Sequence, residues 1–169
     1  STARFLALAV MGAGRDAEGM GDVAPITIIE VMGRDAGWLA AAGSLGRREA
    51  KDAPHVVCVP EVALDEEKFL ECIEDAYRRF GFAVAVVAGN VRGTKGVLGG
   101  QREPQYVDDF GHPYFQGAAQ YLADLVARHI KKRVRCEIPG TIQRSFSSTV
   151  SSSDALEAEM VGRAAVRYA

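Results

Sequence analysis

Charged side chains follow three of the apolar runs in this sequence, at the point where each run ends. Arg34 comes after the run from Ile26 to Val31 and lies beside Gly33, and Glu61 comes after a second run. Arg144 follows a later run, within the segment PGTIQRS. A guanidinium can donate two parallel hydrogen bonds to a phosphate, and a carboxylate accepts hydrogen bonds from hydroxyl groups. Together these residue types suit a phosphorylated polyol.

Each of these side chains also has an ordinary structural explanation. An arginine at the start of a helix, such as Arg34, is often a partner in a surface ion pair. A glutamate after a strand, such as Glu61, is often a solvated residue or a helix cap. The chemistry therefore depends on whether the fold brings these residues to one place.

Strands and helices alternate along the chain, as hydrophobic patterning indicates. The predicted strands are Ile26–Val31, residues 55–59, residues 82–87 and residues 134–138. The predicted helices are residues 3–13, 36–42, 65–80 and 114–130, and a last helix that begins at Ser153 or Asp154. Residues 89–111 hold six glycines and are predicted to form a long loop.

This alternation predicts an α/β fold, a Rossmann-like parallel sheet with helices on both faces. In such sheets, ligands bind beyond the carboxyl ends of the strands. The rule selects residues 32–35, 60–62, 89–92 and 139–144 as the segments that would share a site.

The helix at residues 65–80 has the clearest local signals. Asp65 can cap its first turn, and Gly81 can end it. Phe69, Ile73 and Ala76 recur at helical spacing and should face the core.

The segment GAGRDA, residues 12–17, matches a dinucleotide-binding fingerprint, with Glu30 on a strand further along. A helix opening there would have to cross two more glycines and reach Pro25. We therefore predict a polar loop over residues 14–25. A nicotinamide-dependent oxidoreductase is an alternative functional hypothesis, and it would require that the protein bind a nicotinamide dinucleotide.

Composition limits the other functions. The net charge is -2, so no basic excess favours nucleic acid. The apolar runs are shorter than a membrane span needs, and no secretory signal is visible. The three cysteines are widely spaced, as in reduced thiols that pack in a core. We expect a cytoplasmic protein without metal ligands of its own.

At this point the sequence resembles a known family. The segment EVMGRDAGWLAAAG is similar to the fructose 6-phosphate motif of the 6-phosphofructokinases. The segments VPEV at 59–62 and PGTIQRS at 139–145 follow in that family's order. The presence of Trp38 in this segment is more similar to the pyrophosphate-dependent and mixed-donor branch of that family.

The resemblance implies roles for individual residues. Met32, Gly33 and Arg34 would hold the sugar phosphate, and Arg34 would also neutralise charge on the transferred phosphoryl group. Glu61 would accept hydrogen bonds from sugar hydroxyls. Arg144 would bind the 6-phosphate.

Two further positions complete the set that the resemblance implies. Arg135 would reach the site of a neighbouring subunit in a homodimer or homotetramer. Thr141 would lie in the phosphate site, although the family usually has His or Tyr there. Asp35 also replaces a common His or Tyr, and Pro25 stands near a usual subunit-bridging arginine. These departures motivate a second hypothesis, a non-catalytic sugar-phosphate sensor or regulatory protein.

The family's phosphoryl-donor site, with its GGDG-like and TIDND-like segments, is not in this sequence. The resemblance therefore implies a fragment, with residues 1–143 as the fructose 6-phosphate lobe and residues 144–169 as a helix returning to the donor lobe. The whole protein would transfer phosphate from pyrophosphate or ATP, with Mg²⁺, in glycolysis. This chain alone is predicted to be inactive.

Overall fold

The computed structural model describes residues 1–94, 96–98, 106–107, 113–114 and 117–169. The helices are α1 (Thr2–Met20), α2 (Trp38–Ala42), α3 (Glu66–Phe80), α4 (Ala118–Ile130), α5 (Ile142–Ser145) and α6 (Ser152–Tyr168). The strands are β1 (Ile26–Val31), β2 (Val56–Cys58), β3 (Ala83–Ala88), β4 (Arg92–Gly93), β5 (Gly96–Val97), β6 (Tyr106–Val107), β7 (Pro113–Tyr114) and β8 (Val134–Glu137).

Four strands form a parallel sheet in the order β2-β3-β1-β8. In the register, Ile28 pairs with Ala85 on one side and with Cys136 on the other. The two central strands, β1 and β3, are almost completely buried because both faces of the sheet are covered. The predicted parallel α/β sheet is therefore confirmed.

Helices cover both faces of this sheet, also as predicted. Helices α1 and α2 pack against one face, and α3 and α4 pack against the other. Successive side chains of a strand point to opposite faces. Ile28 and Val87 therefore belong to the α3/α4 side, whereas Ile29 and Val86 belong to the α1/α2 side.

Helix α3 follows its local signals closely. The Asp65 carboxylate accepts hydrogen bonds from the backbone N–H groups of Glu67 and Lys68 at 3.0 and 3.2 Å. Gly81 ends the helix in the left-handed conformation, with φ of 80°. Phe69 and Ile73 face the core as predicted.

The predicted loop over residues 14–25 is wrong over its first half, because α1 continues to Met20. Two of the glycines that suggested a loop, Gly14 and Gly19, lie inside this helix, and Gly21 follows its last residue. Gly14 is buried, and a Cβ placed on it would lie 2.7 Å from the Cβ of Ala53. The glycine lets the helix approach its neighbour closely, a packing reason that local sequence does not reveal.

Other boundaries differ from the prediction by a few residues. Helix α4 begins at Ala118, because Tyr114 belongs to β7, and Ser151 rather than Ser153 caps α6. The segment after Gly140 contains the short helix α5 instead of being loop throughout. Of the long loop predicted over residues 89–111, residues 95, 99–105 and 108–111 lie outside the described residues, as do His112 and Phe115.

Helix α6 buries none of its residues. Leu156, Met160 and Val161 are among the apolar side chains that it exposes. Within the described residues, no helix combines the length and apolar character that crossing a bilayer requires.

Candidate sugar-phosphate site

The carboxyl ends of the parallel strands bring together the predicted segments that follow β1, β2, β3 and β8. Met32 directly follows β1, and Pro139 to Arg144 follow its neighbour β8. Glu61 follows β2, and Gly89 and Asn90 follow β3. Side-chain contacts link each of these segments to the segment after β1, as described below.

A tight turn follows β1 and carries Arg34 at its tip. The backbone N–H of Ala36 donates to the carbonyl of Gly33 at 2.9 Å. Gly33 has φ of 130°, and Arg34 has φ of 47°, a left-handed conformation that non-glycine residues seldom adopt. The turn leaves the Arg34 side chain exposed. Such backbone strain persists only where the surrounding structure holds it.

Gln143 joins the end of β1 to the segment after β8. Its Oε1 accepts a hydrogen bond from the Met32 N–H at 3.0 Å, and its Nε2 donates to the Gly140 carbonyl at 3.1 Å. The side chain is only 2% exposed, so both of its polar ends are satisfied inside the protein. Sequence reasoning missed this residue, because an amide gives no local signal of a structural contact.

Arg34 and Arg144 flank this hydrogen bond. Arg34 lies two residues after Met32, and Arg144 follows Gln143 in α5. Within the described part of the chain, neither guanidinium makes a hydrogen bond or an ion pair, and both side chains are exposed. Two arginines that lack protein partners at one edge are suited to bind an anionic group bidentately.

The Glu61 carboxylate holds the start of α2. Its Oε1 accepts a hydrogen bond from the Gly37 N–H at 2.7 Å, and its Oε2 lies 2.6 Å from the position that a Cβ on Gly37 would take. Glu61 thus has the cap-like contact that its ordinary explanation predicted. It remains exposed at the same edge, where its second oxygen can accept a further hydrogen bond.

Asp35 contacts the segment that follows β3. Its Oδ1 accepts a hydrogen bond from the Asn90 side-chain amide at 3.2 Å and lies 3.6 Å from Nη2 of Arg92. Both partners come from the segment AGNVRG, which includes the end of β3 and the residues after it.

The structure does not bring Arg135 to this edge within the chain. Arg135 pairs in register with Thr27, about 13 Å along the strand from the end of β1 at roughly 3.3 Å per residue. Its guanidinium forms an ion pair with Asp16 of α1. Thr141 lies at the edge, exposed, at the start of α5, where its carbonyl accepts a hydrogen bond from the Ser145 hydroxyl at 3.0 Å.

Glu30 has a structural task that the dinucleotide fingerprint did not suggest. Its Oε2 accepts a hydrogen bond from the Ala119 N–H at 3.1 Å, at the start of α4. A Cβ on Gly117 would lie 2.4 Å from that oxygen, so glycine leaves room for the carboxylate. Partial burial raises the pKa of Glu30 above its usual range. Gly12 and Gly14 lie inside α1, so the fingerprint lacks the strand-to-helix turn that it requires.

The other candidate reactive groups of the described residues are potential metal ligands and thiols. The described residues contain no cluster of three or more His, Cys, Asp or Glu side chains placed to hold a metal ion. All three thiols are free, and burial raises the pKa of Cys58 to about 12. Cys72 is exposed on α3, which corrects the expectation that every cysteine is buried.

A parallel sheet covered on both faces, with a cationic carboxyl edge, is a common arrangement among α/β proteins that bind phosphorylated small molecules. The comparison with protein families is more specific. Residues 7–169 match the model of the phosphofructokinase family, and the chain belongs to that family. The resemblance seen in the sequence is thereby confirmed.

Curated relatives and solved structures agree with this assignment. The chain is 35% identical to a pyrophosphate--fructose 6-phosphate 1-phosphotransferase of Xanthomonas campestris, a match that covers 100% of this chain and 40% of the relative. It is 32% identical to an ATP-dependent 6-phosphofructokinase of Mycobacterium bovis, over 73% of this chain and 34% of that protein. The crystal structure of a pyrophosphate-dependent phosphofructokinase from Marinobacter aquaeolei superposes with a TM-score of 0.79 at 29% identity, over 99% of this chain and 38% of that one. The chain therefore spans about 40% of the length of the curated relatives that it matches along its whole length.

Proposed function

We propose that this chain supplies the fructose 6-phosphate site of a 6-phosphofructokinase. The whole protein would transfer a phosphoryl group to the 1-hydroxyl of the sugar, in glycolysis. The observation that carries the proposal is the placement of Arg34 and Arg144, which have no protein partners in the described structure. They lie on either side of the hydrogen bond between the Met32 N–H and the Gln143 side chain.

Each residue at the edge takes a distinct part in this proposal. Arg144 binds the 6-phosphate, and Thr141 lies beside it. Met32, Gly33 and Arg34 hold the sugar phosphate, and Met32 and Gly33 form the backbone surface against it. Arg34 reaches the transferred phosphoryl group and offsets the negative charge that its oxygens carry in the transition state, which is the main means of catalysis in phosphoryl transfer.

The Glu61 carboxylate orients the sugar. Its Oε1 is engaged by the Gly37 N–H, which fixes the carboxylate in place. Its second oxygen can then accept a hydrogen bond from a sugar hydroxyl. A carboxylate that is held in position loses less conformational freedom when it binds a ligand.

Pyrophosphate is the donor that we favour. The pyrophosphate--fructose 6-phosphate 1-phosphotransferase of Xanthomonas campestris matches the chain along its full length, whereas the ATP-dependent 6-phosphofructokinase of Mycobacterium bovis matches 73% of it. Mg²⁺ would accompany the donor and neutralise its charge. The ligands of the ion would lie with the donor site, and the steps assigned to this chain use its own arginines and carboxylate.

The division of the chain follows from the same proposal. Residues 1–143 form the sugar-phosphate lobe. Residues 144–169 lead into α6, which buries no residue here and would pack against the part of the protein that carries the donor site. Arg135 would serve the site of a neighbouring subunit in a homodimer or homotetramer, after exchange of its contact with Asp16.

Calorimetric titration of fructose 6-phosphate tests the proposal. Arg34→Ala and Arg144→Ala each remove charge-assisted hydrogen bonds of about 1.5–3 kcal/mol, so we expect binding to weaken by about 10-fold to 150-fold. Arg78→Ala is the matched control, because Arg78 is an exposed arginine on α3 that pairs with Asp75. Unchanged affinity in both site variants, or no binding by the folded wild-type chain, would contradict the proposal.

A further inference from the structure

A carboxylate lies next to the cation at the tip of the β1 turn. Asp35 directly follows Arg34, and its side chain is 67% exposed. A negative charge at this place would repel the phosphate groups of the ligand in the proposed function, on which this inference rests. The site therefore needs a means to offset that charge.

The segment after β3 supplies a counter-charge. The Arg92 guanidinium and the Asn90 amide both face the same oxygen, Oδ1 of Asp35, at 3.6 and 3.2 Å. Asn90 contributes a hydrogen bond and no charge, so among the described residues Arg92 is the cation that pairs with the carboxylate. Their convergence on one oxygen also orients the carboxylate toward the segment after β3.

The backbone of Arg92 is anchored although its side chain is exposed. Its carbonyl accepts a hydrogen bond from the Leu64 N–H at 2.7 Å, and Leu64 also forms a β-bridge with Gly93. Leu64 belongs to the segment that follows Glu61 after β2. The Arg92 guanidinium therefore approaches Asp35 from a backbone that is held by hydrogen bonding between the segments that follow β2 and β3.

We propose that Arg92 is a positioning residue of the sugar-phosphate site, which neutralises Asp35 and keeps its carboxylate directed away from the phosphate at Arg34. The pair adds little to the stability of the fold, because both side chains are exposed to water. We expect the pair to affect ligand affinity instead, because an unpaired carboxylate within several ångströms of a phosphate dianion weakens binding by about threefold to tenfold.

The test is a cycle of variants titrated with fructose 6-phosphate at low ionic strength. Arg92→Ala leaves Asp35 unpaired and should bind about threefold to tenfold more weakly. Asp35→Asn removes the charge but keeps an oxygen for the Asn90 hydrogen bond, and it should bind as well as wild type or better. The double variant should return to wild-type affinity. Arg78→Ala, on α3, is the control.

The dependence on ionic strength is a second measurement, and it would not change if Arg92 had only a structural role. The Debye length falls from about 10 Å at 0.1 M to about 3 Å at 1 M. The ratio between the affinities of wild type and Arg92→Ala should therefore shrink toward one as salt is added. A defect that arose from local unfolding would persist in salt.

Three outcomes would overturn the inference. Wild-type affinity in Arg92→Ala would show that the pair is irrelevant to the ligand. A double variant as weak as Arg92→Ala would show that Arg92 acts on the ligand directly or through the fold. Absence of any binding by the wild-type chain would overturn the proposed function and this inference with it, whereas failure of the cycle alone leaves the proposed function standing.

Discussion

Two glycines of α1 should respond differently to the same substitution. Gly12 is exposed, and a Cβ placed on it meets nothing within 4 Å. Gly14 is buried, and its Cβ would lie 2.7 Å from the Cβ of Ala53, which is attached directly to the backbone and cannot rotate away. Carbon atoms pack best at about 3.5–4.0 Å, so the helix would have to move by about 1 Å.

The two variants share one term and differ in another. Alanine in place of glycine inside a helix stabilises by about 0.5–1 kcal/mol, and this gain applies to both Gly12→Ala and Gly14→Ala. Overpacking costs about 1–3 kcal/mol and applies only at Gly14. We expect Gly12→Ala to be more stable than wild type, and Gly14→Ala to be less stable than Gly12→Ala by about 1–3 kcal/mol.

Urea denaturation at 25 °C, followed by circular dichroism, measures this difference. With a slope of about 2 kcal/mol per M, the midpoints of the two variants should differ by about 0.5–1.5 M. Equal midpoints for Gly12→Ala and Gly14→Ala would refute the close approach of α1 to Ala53, and with it the reason given for a glycine in the middle of this helix.

Three further predictions concern titration, thiol reactivity and activity. His55 Nδ1 accepts a hydrogen bond from the Val84 N–H at 3.0 Å, and burial lowers its pKa. The neutral form of His55 should stabilise the fold fully above the usual pKa of about 6.5, and this contribution should be lost as pH falls through the lower pKa of the folded state. The His55→Asn variant should therefore lose less stability than wild type between pH 7.5 and 5, and an equal loss in both proteins would contradict this prediction. A thiol reagent at pH 8 should modify the exposed Cys72 quickly and Cys58 only on unfolding, because Cys58 is buried with its pKa raised to about 12; equal rates in the folded protein would argue against the burial of Cys58. The chain alone should show no phosphoryl transfer to fructose 6-phosphate from pyrophosphate or ATP in a coupled assay, and measurable turnover would disprove the view that the donor site lies elsewhere.

The elements with strong local signals were predictable. β1 occupies the predicted residues Ile26–Val31 because a run of branched apolar residues favours a buried strand. The start and end of α3 at Asp65 and Gly81 follow from side-chain capping and a left-handed glycine. The second half of α1 was not predictable, because the role of Gly14 depends on Ala53, which is distant in sequence.

The candidate site also has features that were predictable from the sequence and features that were not. The rule that ligands bind at the carboxyl edge of a parallel sheet selected the segments that hold Arg34, Glu61 and Arg144 before any contact was known. Sequence did not reveal the partners of these segments. The buried Gln143 that joins two of them, and the ion pair of Arg135 with Asp16, depend on which strands are neighbours in the sheet.

By itself, the sequence of this protein determined its family, its α/β class and the strand ends that carry chemistry, since these depend on motifs and on periods of a few residues. Only the tertiary structure decided which charged groups are left without partners. Arg34 and Asp35 are adjacent in sequence and chemically opposite, yet one has no partner in the described structure while the other meets Arg92. The physical reason is that ion pairing depends on distance in space, and the order of the strands sets that distance.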